Sequence, residues 1–172
     1  MLTVKEYVAL ISEAVSGCDG PIADAAALIK DAANDNRNIW VLGNGGSLAI
    51  AQHFAQDLLK TRGIKAHAMN DPSVITAYAN DLSFEHAVSA PLKVFWEPDD
   101  LIIIFSCSGK SRNYIWIENS EMRPLVSVVG TDGGFLKDKA DVAIHVRSGD
   151  YQICESGFAI IADMIINQIG EP

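Results

Sequence analysis

The chain has 172 residues, which at ~100–200 residues per domain leaves room for one domain only. Apolar residues make up 49% and charged residues 20%, so the chain can build a core and a disordered protein is excluded. Lys and Arg total 13 against 22 Asp and Glu, and the formal charge of −9 excludes the basic surface of a nucleic-acid binder. An anionic membrane surface is an equally poor partner.

The three cysteines, Cys18, Cys107 and Cys154, share no close spacing. Their spacing indicates neither a zinc knuckle nor a disulfide framework. It favours reduced cysteines, as in a cytoplasmic protein. The N-terminus lacks the apolar core of a signal peptide, and no apolar run approaches the ~18 residues that span a membrane. We therefore predict a cytoplasmic protein with no membrane partner.

Apolar residues at helical spacing predict two helices within residues 1–36. From residue 37 onward, short apolar runs alternate with helical segments. The predicted strands are 39–42, 64–69, 101–105, 125–129 and 142–146. The predicted helices of this part are 48–60, 72–79, 83–96, 114–119, 135–139 and 153–169. This alternation is typical of a parallel sheet, and continuously apolar strands are typical of a sheet covered on both faces.

We therefore predict a single α/β domain over residues 1–172. Residues 1–36 form N-terminal helices, and residues 37–172 form a three-layer α/β/α sandwich with a five-stranded parallel sheet. Ligands of such sheets bind beyond the carboxyl ends of the strands, near the point where the strand order reverses. Two loops of this chain follow predicted strands at such ends.

The first loop, residues 43–47, reads GNGGS. Its glycines allow the backbone to approach a ligand closely, and the helix that follows favours an anion. The dinucleotide fingerprint G-x-G-x-x-G fails because residue 48 is Leu48. The alternative is a plain strand-to-helix turn with Ser47 as the N-cap.

The second loop, residues 106–113, reads SCSGKSRN and carries the hydroxyls of Ser106, Ser108 and Ser111. The fragment GKS resembles the end of a P-loop, but Ile104 stands where that motif requires glycine. What remains is a cradle of hydroxyls and amides that suits a phosphate monoester. The alternative is a polar loop with an ordinary helix cap.

His53 and Asp57 are four residues apart on the helix that follows the first loop, and therefore lie on one face. Such a pair can bind a metal, or the carboxylate can orient the imidazole. The alternative is a surface pair that stabilises the helix by a few tenths of a kcal/mol.

The two loops together resemble the SIS (sugar isomerase) domain, and within it the phosphoheptose isomerases. The resembling stretches are 43–58, 75–85, 100–113, 130–141 and a weaker tail from Cys154. The resemblance implies a flavodoxin-like fold and a homotetramer with sites at subunit interfaces. It also implies that a sugar phosphate is held by a set of loop residues, which are Asn44, Gly45, Ser47, Asp81, Ser106, Ser108, Ser111 and Asn113.

The family reaction moves a proton between C1 and C2 of a ketose phosphate through an enediol, and sedoheptulose 7-phosphate is the substrate that the resemblance implies. The bacterial enzymes resembled here carry zinc, held by a His and a Glu on one helix and a Gln and a His on the last. Matched residue by residue, those positions are occupied here by His53, Asp57, Cys154 and Ala162.

The departures leave two interpretations open. His53, Asp57 and Cys154 are competent zinc ligands, and three ligands with an open water position are the catalytic pattern. Alternatively the site has decayed, and Cys154 is a buried apolar-like residue. We predict Asp57, Glu155 and His53 as catalytic groups, although Glu155 is also explained as an acid in the first turn of a helix.

Two functions follow. The favoured one is a phosphoheptose-isomerase-like enzyme of heptose synthesis for lipopolysaccharide or capsule. The alternative is a non-catalytic SIS protein, a sugar-phosphate sensor or a scaffold that resembles the replication-initiator-associating protein. A nucleotide-binding switch fits poorly because neither glycine-rich fingerprint is complete.

Overall fold

A computed structural model describes residues 2–170, in which strands and helices alternate along the chain. The strands are β1 Ile39–Leu42, β2 Ala66–Ala68, β3 Leu101–Ser106, β4 Leu125–Val129 and β5 Val142–His145. The α-helices are α1 Val4–Ala14, α2 Asp19–Asn34, α3 Gly45–Arg62, α4 Pro72–Asp81, α5 Ser89–Phe95, α6 Gly134–Lys139 and α7 Tyr151–Ile169. Two 3-10 helices, Phe84–His86 and Arg112–Asn119, complete these elements.

The five strands form one parallel sheet in the order β2-β1-β3-β4-β5. This is the flavodoxin-like, doubly wound order, and its direction of winding reverses between β1 and β3. Leu42 pairs with Ile104 across that boundary, so the two central strands end side by side. The predicted parallel sheet is confirmed, and the reversal point places the two polar loops next to each other.

Both faces of the sheet are covered, which explains why β3 is apolar at successive positions. Ile103 and Phe105 belong to a core cluster shared with α1, α2, α3 and α7. Ile102 and Ile104 belong to a second cluster on the opposite face, with Tyr114 from the second 3-10 helix. The predicted three-layer sandwich is therefore confirmed. The N-terminal helices join the first cluster, and the boundary at residues 36 and 37 stays a prediction.

Two predicted helices differ from the observed ones. The helix predicted over 83–96 is interrupted, because Pro91 lacks an N–H and is tolerated only in the first turn of a helix. The chain instead forms a 3-10 turn at Phe84–His86 and begins α5 at Ser89. The segment predicted over 114–119 is a 3-10 helix. In the described part of the chain, no helix has the length and apolar character needed to cross a membrane.

Candidate functional site

The two polar loops line one cleft of about 310 Å³ at the carboxyl ends of β1 and β3. Parallel strands that neighbour each other bring their following loops to the same edge of the sheet. Six members of the predicted substrate-binding set line the cleft: Asn44, Gly45, Ser47, Ser106, Ser108 and Ser111. The structure thus gathers these residues, which are far apart in sequence.

The first loop turns directly into α3, which begins at Gly45 and therefore earlier than predicted. A Cβ on Gly43 would lie 2.6 Å from the backbone nitrogen of Leu48, so only glycine permits this tight turn. The first N–H groups of a helix have no partner within it, and they carry the positive end of the helix dipole. The first turn of α3 consequently offers amide donors at the cleft.

Ser47 is not the N-cap, because α3 has already begun and its N-cap is Asn44. The Ser47 side chain is 4% exposed and lines the cleft. Its hydroxyl donates to Oε1 of Glu155 on α7 at 3.2 Å. The alternative of a simple capping serine is therefore wrong, and Ser47 joins the first loop to α7.

The serines of the second loop have their hydroxyl protons available for a ligand. The oxygen of Ser106 accepts from the Gly109 amide at 3.1 Å, and that of Ser108 accepts from the Lys110 amide at 3.1 Å. Because each hydroxyl oxygen accepts a hydrogen bond within the loop, its own proton remains available to donate to a ligand. Ser111 precedes the 3-10 helix and makes no side-chain cap. The arrangement suits an acceptor-rich ligand such as phosphate.

The two cations of the second loop are paired with acids outside the cradle. The ammonium of Lys110 lies 2.6 Å from Asp132, and the guanidinium of Arg112 pairs with Glu85 on the first 3-10 helix. Neither cation lines the cleft. Any anion bound there meets mainly hydroxyls and backbone amides.

Asn44 and Asn113 join the two loops through a pair of reciprocal amide hydrogen bonds, each 2.9 Å long. Asn113 is 1% exposed and does not line the cleft, whereas Asn44 does. Asn113 therefore holds Asn44 in position from outside the cleft. Asp81, also predicted for the substrate set, is exposed at the end of α4 and accepts from Asn80, away from the cleft lining.

Glu155 is the carboxylate of the cleft wall. It accepts from Ser47 and lies directly over the backbone of Gly46, where an added Cβ would come within 2.6 Å of the carboxylate carbon. A side chain at residue 46 would force Glu155 to move. The absence of a Cβ on Gly46 thus allows α7 to bring a negative charge to the start of α3.

Cys107 and Cys154 are both buried near this cleft, and burial raises the pKa of each thiol, that of Cys107 to about 11. Cys154 is fully buried and its thiol donates to the carbonyl of Ser148 at 3.2 Å. Among the described residues it does not belong to the group that could hold a metal with His53 and Asp57. The structure does not bring the predicted ligand Cys154 together with His53 and Asp57, because this position of α7 faces the core.

The third member of that group is Asp163, also on α7. Ligand atoms of His53, Asp57 and Asp163 all lie within 4.8 Å of one another. His53 Nε2 is 3.4 Å from Asp57 Oδ2. Ala162, which the family pattern aligns with a histidine, is 4% exposed and packs in the core. Sequence matching missed Asp163 because it follows the matched position by one residue.

The cradle and this second group lie along the same pair of helices. Gly46, His53 and Asp57 are separated by seven and four residues, so they share one face of α3. Glu155 contacts α3 at Gly46, and Asp163 contacts it at His53 and Asp57, so α7 runs parallel to α3. Ser47 precedes His53 by six residues, a rise of ~9 Å. The cleft at the start of α3 and the group of His53, Asp57 and Asp163 therefore lie about 9 Å apart along this helix.

A larger groove, of about 540 Å³, lies beside the edge strand β2 and is lined by Trp40, His67 and Phe95. The rings of Trp40 and His67 pack against each other with centroids 5.1 Å apart and an angle of 33° between their planes. It carries neither the glycine turn nor the clustered hydroxyls of the cleft between β1 and β3. The chemistry therefore identifies the smaller cleft as the candidate active site.

Comparisons with known proteins identify the family of this chain. A family model for the SIS domain matches residues 4–120. The phosphoheptose isomerase of Geobacter metallireducens is 32% identical over 157 residues, which cover 86% of this chain and 83% of that protein. That of Helicobacter pylori is 32% identical over 162 residues, covering 87% of this chain and 84% of that protein.

Solved structures lead to the same family. The phosphoheptose isomerase from Neisseria gonorrhoeae has a TM-score of 0.88 at 26% identity, covering 96% of this chain and 94% of that one. The enzyme from Francisella tularensis has a TM-score of 0.88 at 24% identity, covering 96% and 92%, and shows the shared fold. From the cleft, the family model and these relatives together, this chain belongs to the phosphoheptose isomerase family of SIS-domain proteins.

Proposed function

We propose that this chain is a sugar-phosphate ketose–aldose isomerase that converts sedoheptulose 7-phosphate to a heptose 7-phosphate. The observation that carries the proposal is the cradle, in which Ser106 and Ser108 accept backbone N–H groups and so keep their own protons for a phosphate. Relatives at 32% identity bear the name of this activity. We place the reaction in heptose synthesis on the same ground.

The phosphate is bound by Ser47, Ser106, Ser108 and Ser111 together with the first-turn amides of α3. Neutral donors of this kind hold a dianion without a paired cation, as helix N-termini do. Ser47 must exchange its bond to Glu155 for one to the phosphate. Glu155 therefore orients the Ser47 hydroxyl only in the ligand-free chain, and its negative charge opposes the phosphate.

The carbonyl end of the substrate lies along α3, toward His53 and Asp57. A heptulose 7-phosphate in its open-chain form carries the phosphate and the C2 carbonyl at opposite ends. With the phosphate at the first turn of α3, the ~9 Å rise between Ser47 and His53 puts C1 and C2 beside the second group. Asp57 is therefore a better placed base than Glu155.

The proton transfer uses Asp57 as the base. Its carboxylate removes a proton from C1, the C1–H electron pair becomes the C1–C2 double bond, and the C2 carbonyl oxygen gains a proton, which gives the enediol. Asp57 then returns the proton to C2, while the hydroxyl on C1 loses its proton and becomes the aldehyde. In the metal-free chain, His53, 3.4 Å from Asp57, is placed to move the oxygen-bound protons.

Residues His53, Asp57 and Asp163 have the donor types that a divalent metal ion requires, so the zinc implied by the family fits this group rather than Cys154. When bound, such an ion polarises the oxygens of the substrate.

We also propose that the chain works as a homotetramer in the cytoplasm. Val4 and Val8 on α1 are 83% and 56% exposed, and Ile160 and Met164 expose an apolar stripe on α7. Exposed apolar stripes of this kind favour burial against another copy. Because Asp163 lies between Ile160 and Met164, a neighbouring chain would also shield the second group. The three free cysteines support a reducing compartment.

The direct test incubates purified chain with sedoheptulose 7-phosphate and follows the aldose by ¹³C NMR, with and without added Zn²⁺. We expect aldose formation that a Ser108→Ala, Ser111→Ala double variant abolishes. Asp57 and Ala162 depart from the family's catalytic set, which favours a non-catalytic sugar-phosphate sensor as the second candidate. Tight binding of the substrate without any aldose would overturn the isomerase and support that sensor.

A further inference from the structure

Asp163 stands at a position for which the family pattern provides no ligand, yet it is close to two residues that can bind metal. We propose that Asp163 completes, with His53 and Asp57, a site for one divalent transition-metal cation with one nitrogen and two oxygen donors. The role of that ion rests on the proposed isomerase function, whereas its binding does not.

The spacing of the donor atoms fits a metal ion. Two ligands at ~2.1 Å from a tetrahedral ion are ~3.4 Å apart. His53 Nε2 and Asp57 Oδ2 are 3.4 Å apart, and all three donor atoms lie within 4.8 Å of one another. Asp163 is exposed, so a small rotation of its side chain closes the remaining distance.

The register of α7 explains why Asp163 faces His53 and Asp57, whereas Cys154 and Ala162 do not. Cys154 and Ala162 are eight residues apart and both pack in the core. One further residue turns the side chain by about 100° around the helix, which moves it from the core to the side of α3. Asp163 therefore supplies the third metal ligand. Ala162 cannot supply it, because its side chain faces the core and has no donor atom.

The negative charge around Asp163 also favours a bound cation. Asp57 and Asp163 bring two carboxylates together in a chain that already has a formal charge of −9. Within residues 2–170, neither carboxylate forms an ion pair with a Lys or Arg side chain, and His53 is the partner of Asp57. A divalent ion would balance this repulsion.

The donor set predicts which ions bind. Imidazole suits zinc, iron and nickel, and carboxylates suit harder ions such as manganese. Without Cys154 the site lacks a thiolate, so a bound Co²⁺ probe should give d–d absorption and no cobalt–thiolate charge-transfer band. This spectrum separates the proposed site from one that includes cysteine.

The test titrates the full chain, freed of metal with a chelator, with Co²⁺ and without substrate. We expect one ion per chain, no thiolate band, and an affinity that Asp163→Asn lowers at least tenfold. Cys154→Ser and Asp31→Asn, an exposed helical acid outside the group, should bind as the parent chain does. Melting curves from circular dichroism confirm that the variants are folded.

Three results would overturn the assignment: no Co²⁺ bound by the parent chain, a thiolate band, or unchanged affinity in Asp163→Asn. Because the titration contains no sugar phosphate, it separates this assignment from the proposed function. Metal binding without isomerisation would refute the enzyme and leave the site, whereas isomerisation by a chain that binds no Co²⁺ would refute the site and leave the enzyme.

Discussion

Asn44 and Asn113 join the loops that form the proposed phosphate cradle through a reciprocal pair of amide hydrogen bonds. Asn44 is the N-cap of α3 but makes no side-chain capping bond, because its amide is committed to Asn113. The loops that follow β1 and β3 are thereby fixed relative to each other. The geometry of the cradle therefore depends on the Asn44–Asn113 contact, in which Asn113 lies outside the cleft.

Replacing Asn113 with alanine should damage both stability and substrate binding. The substitution leaves the Asn44 amide without its partner and opens a cavity at a 1% exposed position. We expect the free energy of unfolding to fall by about 1–3 kcal/mol and KM for the sugar phosphate to rise. Urea denaturation and steady-state kinetics measure the two effects. Asn119→Ala, at the exposed end of the same 3-10 helix, is the control, and an equal loss there would contradict this role.

The serines of the second loop should separate stability from binding. Ser106 accepts the Gly109 amide, so Ser106→Ala should lower both the free energy of unfolding, by about 1 kcal/mol, and the affinity for phosphate. Ser111 makes no side-chain cap, so Ser111→Ala should weaken phosphate binding by up to about tenfold with unchanged stability. Calorimetric titration with inorganic phosphate checks both. Unchanged phosphate affinity in both variants would show that the cradle is not the anion site.

Glu155→Gln should tighten binding of the phosphate end. The substitution keeps an oxygen for Ser47 and removes a negative charge from the cleft wall. We expect KM to fall by up to about tenfold and kcat to change by less than about tenfold. Glu118→Gln, an exposed acid, serves as the control. A loss of several orders of magnitude in kcat would instead identify Glu155 as the base.

The buried thiol of Cys107 should make stability depend on alkaline pH. Burial raises its pKa from 9.0 to about 11, so the folded chain keeps a proton that the unfolded chain loses. The free energy of unfolding should therefore fall as the pH rises above about 9 and be independent of this group below it. Burial also raises the pKa values of Cys18 and Cys154, and Cys107→Ser should reduce the slope more than Cys18→Ser does. Urea denaturation between about pH 8 and pH 10 tests this, and equal slopes in the two variants would contradict it.

Asp100 should stabilise the fold without affecting the reaction. This fully buried carboxylate accepts from the Asn38 backbone at 2.9 Å, Trp40 Nε1 at 2.9 Å and the Glu97 backbone at 3.0 Å. Asp100→Asn turns an amide donor toward these donors, and we expect a loss of about 1–3 kcal/mol with kcat unchanged. The neighbouring Asp99→Asn, at an exposed position, is the matched control. A large loss of kcat in folded Asp100→Asn would contradict the separation.

The sheet and its polar loops could be predicted from sequence because their signals are local. Five continuous apolar residues indicate a strand buried on both faces, and the serines that follow it in the chain also follow it in space. The pair of Asn44 and Asn113 could not be predicted, since 69 residues separate them. The likeness to a known family matched metal ligands to Cys154 and Ala162, which are two core positions of α7.

The position of Asp163 shows why the second group, His53, Asp57 and Asp163, could not be predicted from the sequence. Helical spacing identifies which residues share a face, but it does not say which face packs on which neighbour. The contact of Glu155 with Gly46 sets the register of α7 against α3, and that register brings Asp163 beside His53 and Asp57.

The most direct measurement follows solvent deuterium in sedoheptulose 7-phosphate incubated in D₂O with the parent chain and with Asp57→Asn. An enediol formed by a base exchanges protons at C1 and C2, so the parent chain should introduce deuterium there. Asp57→Asn should lose exchange by about 10²–10⁴-fold while its affinity for inorganic phosphate stays unchanged. A parent chain that binds the sugar phosphate and introduces no deuterium, or an Asp57→Asn variant that exchanges at the parent rate, would contradict the account.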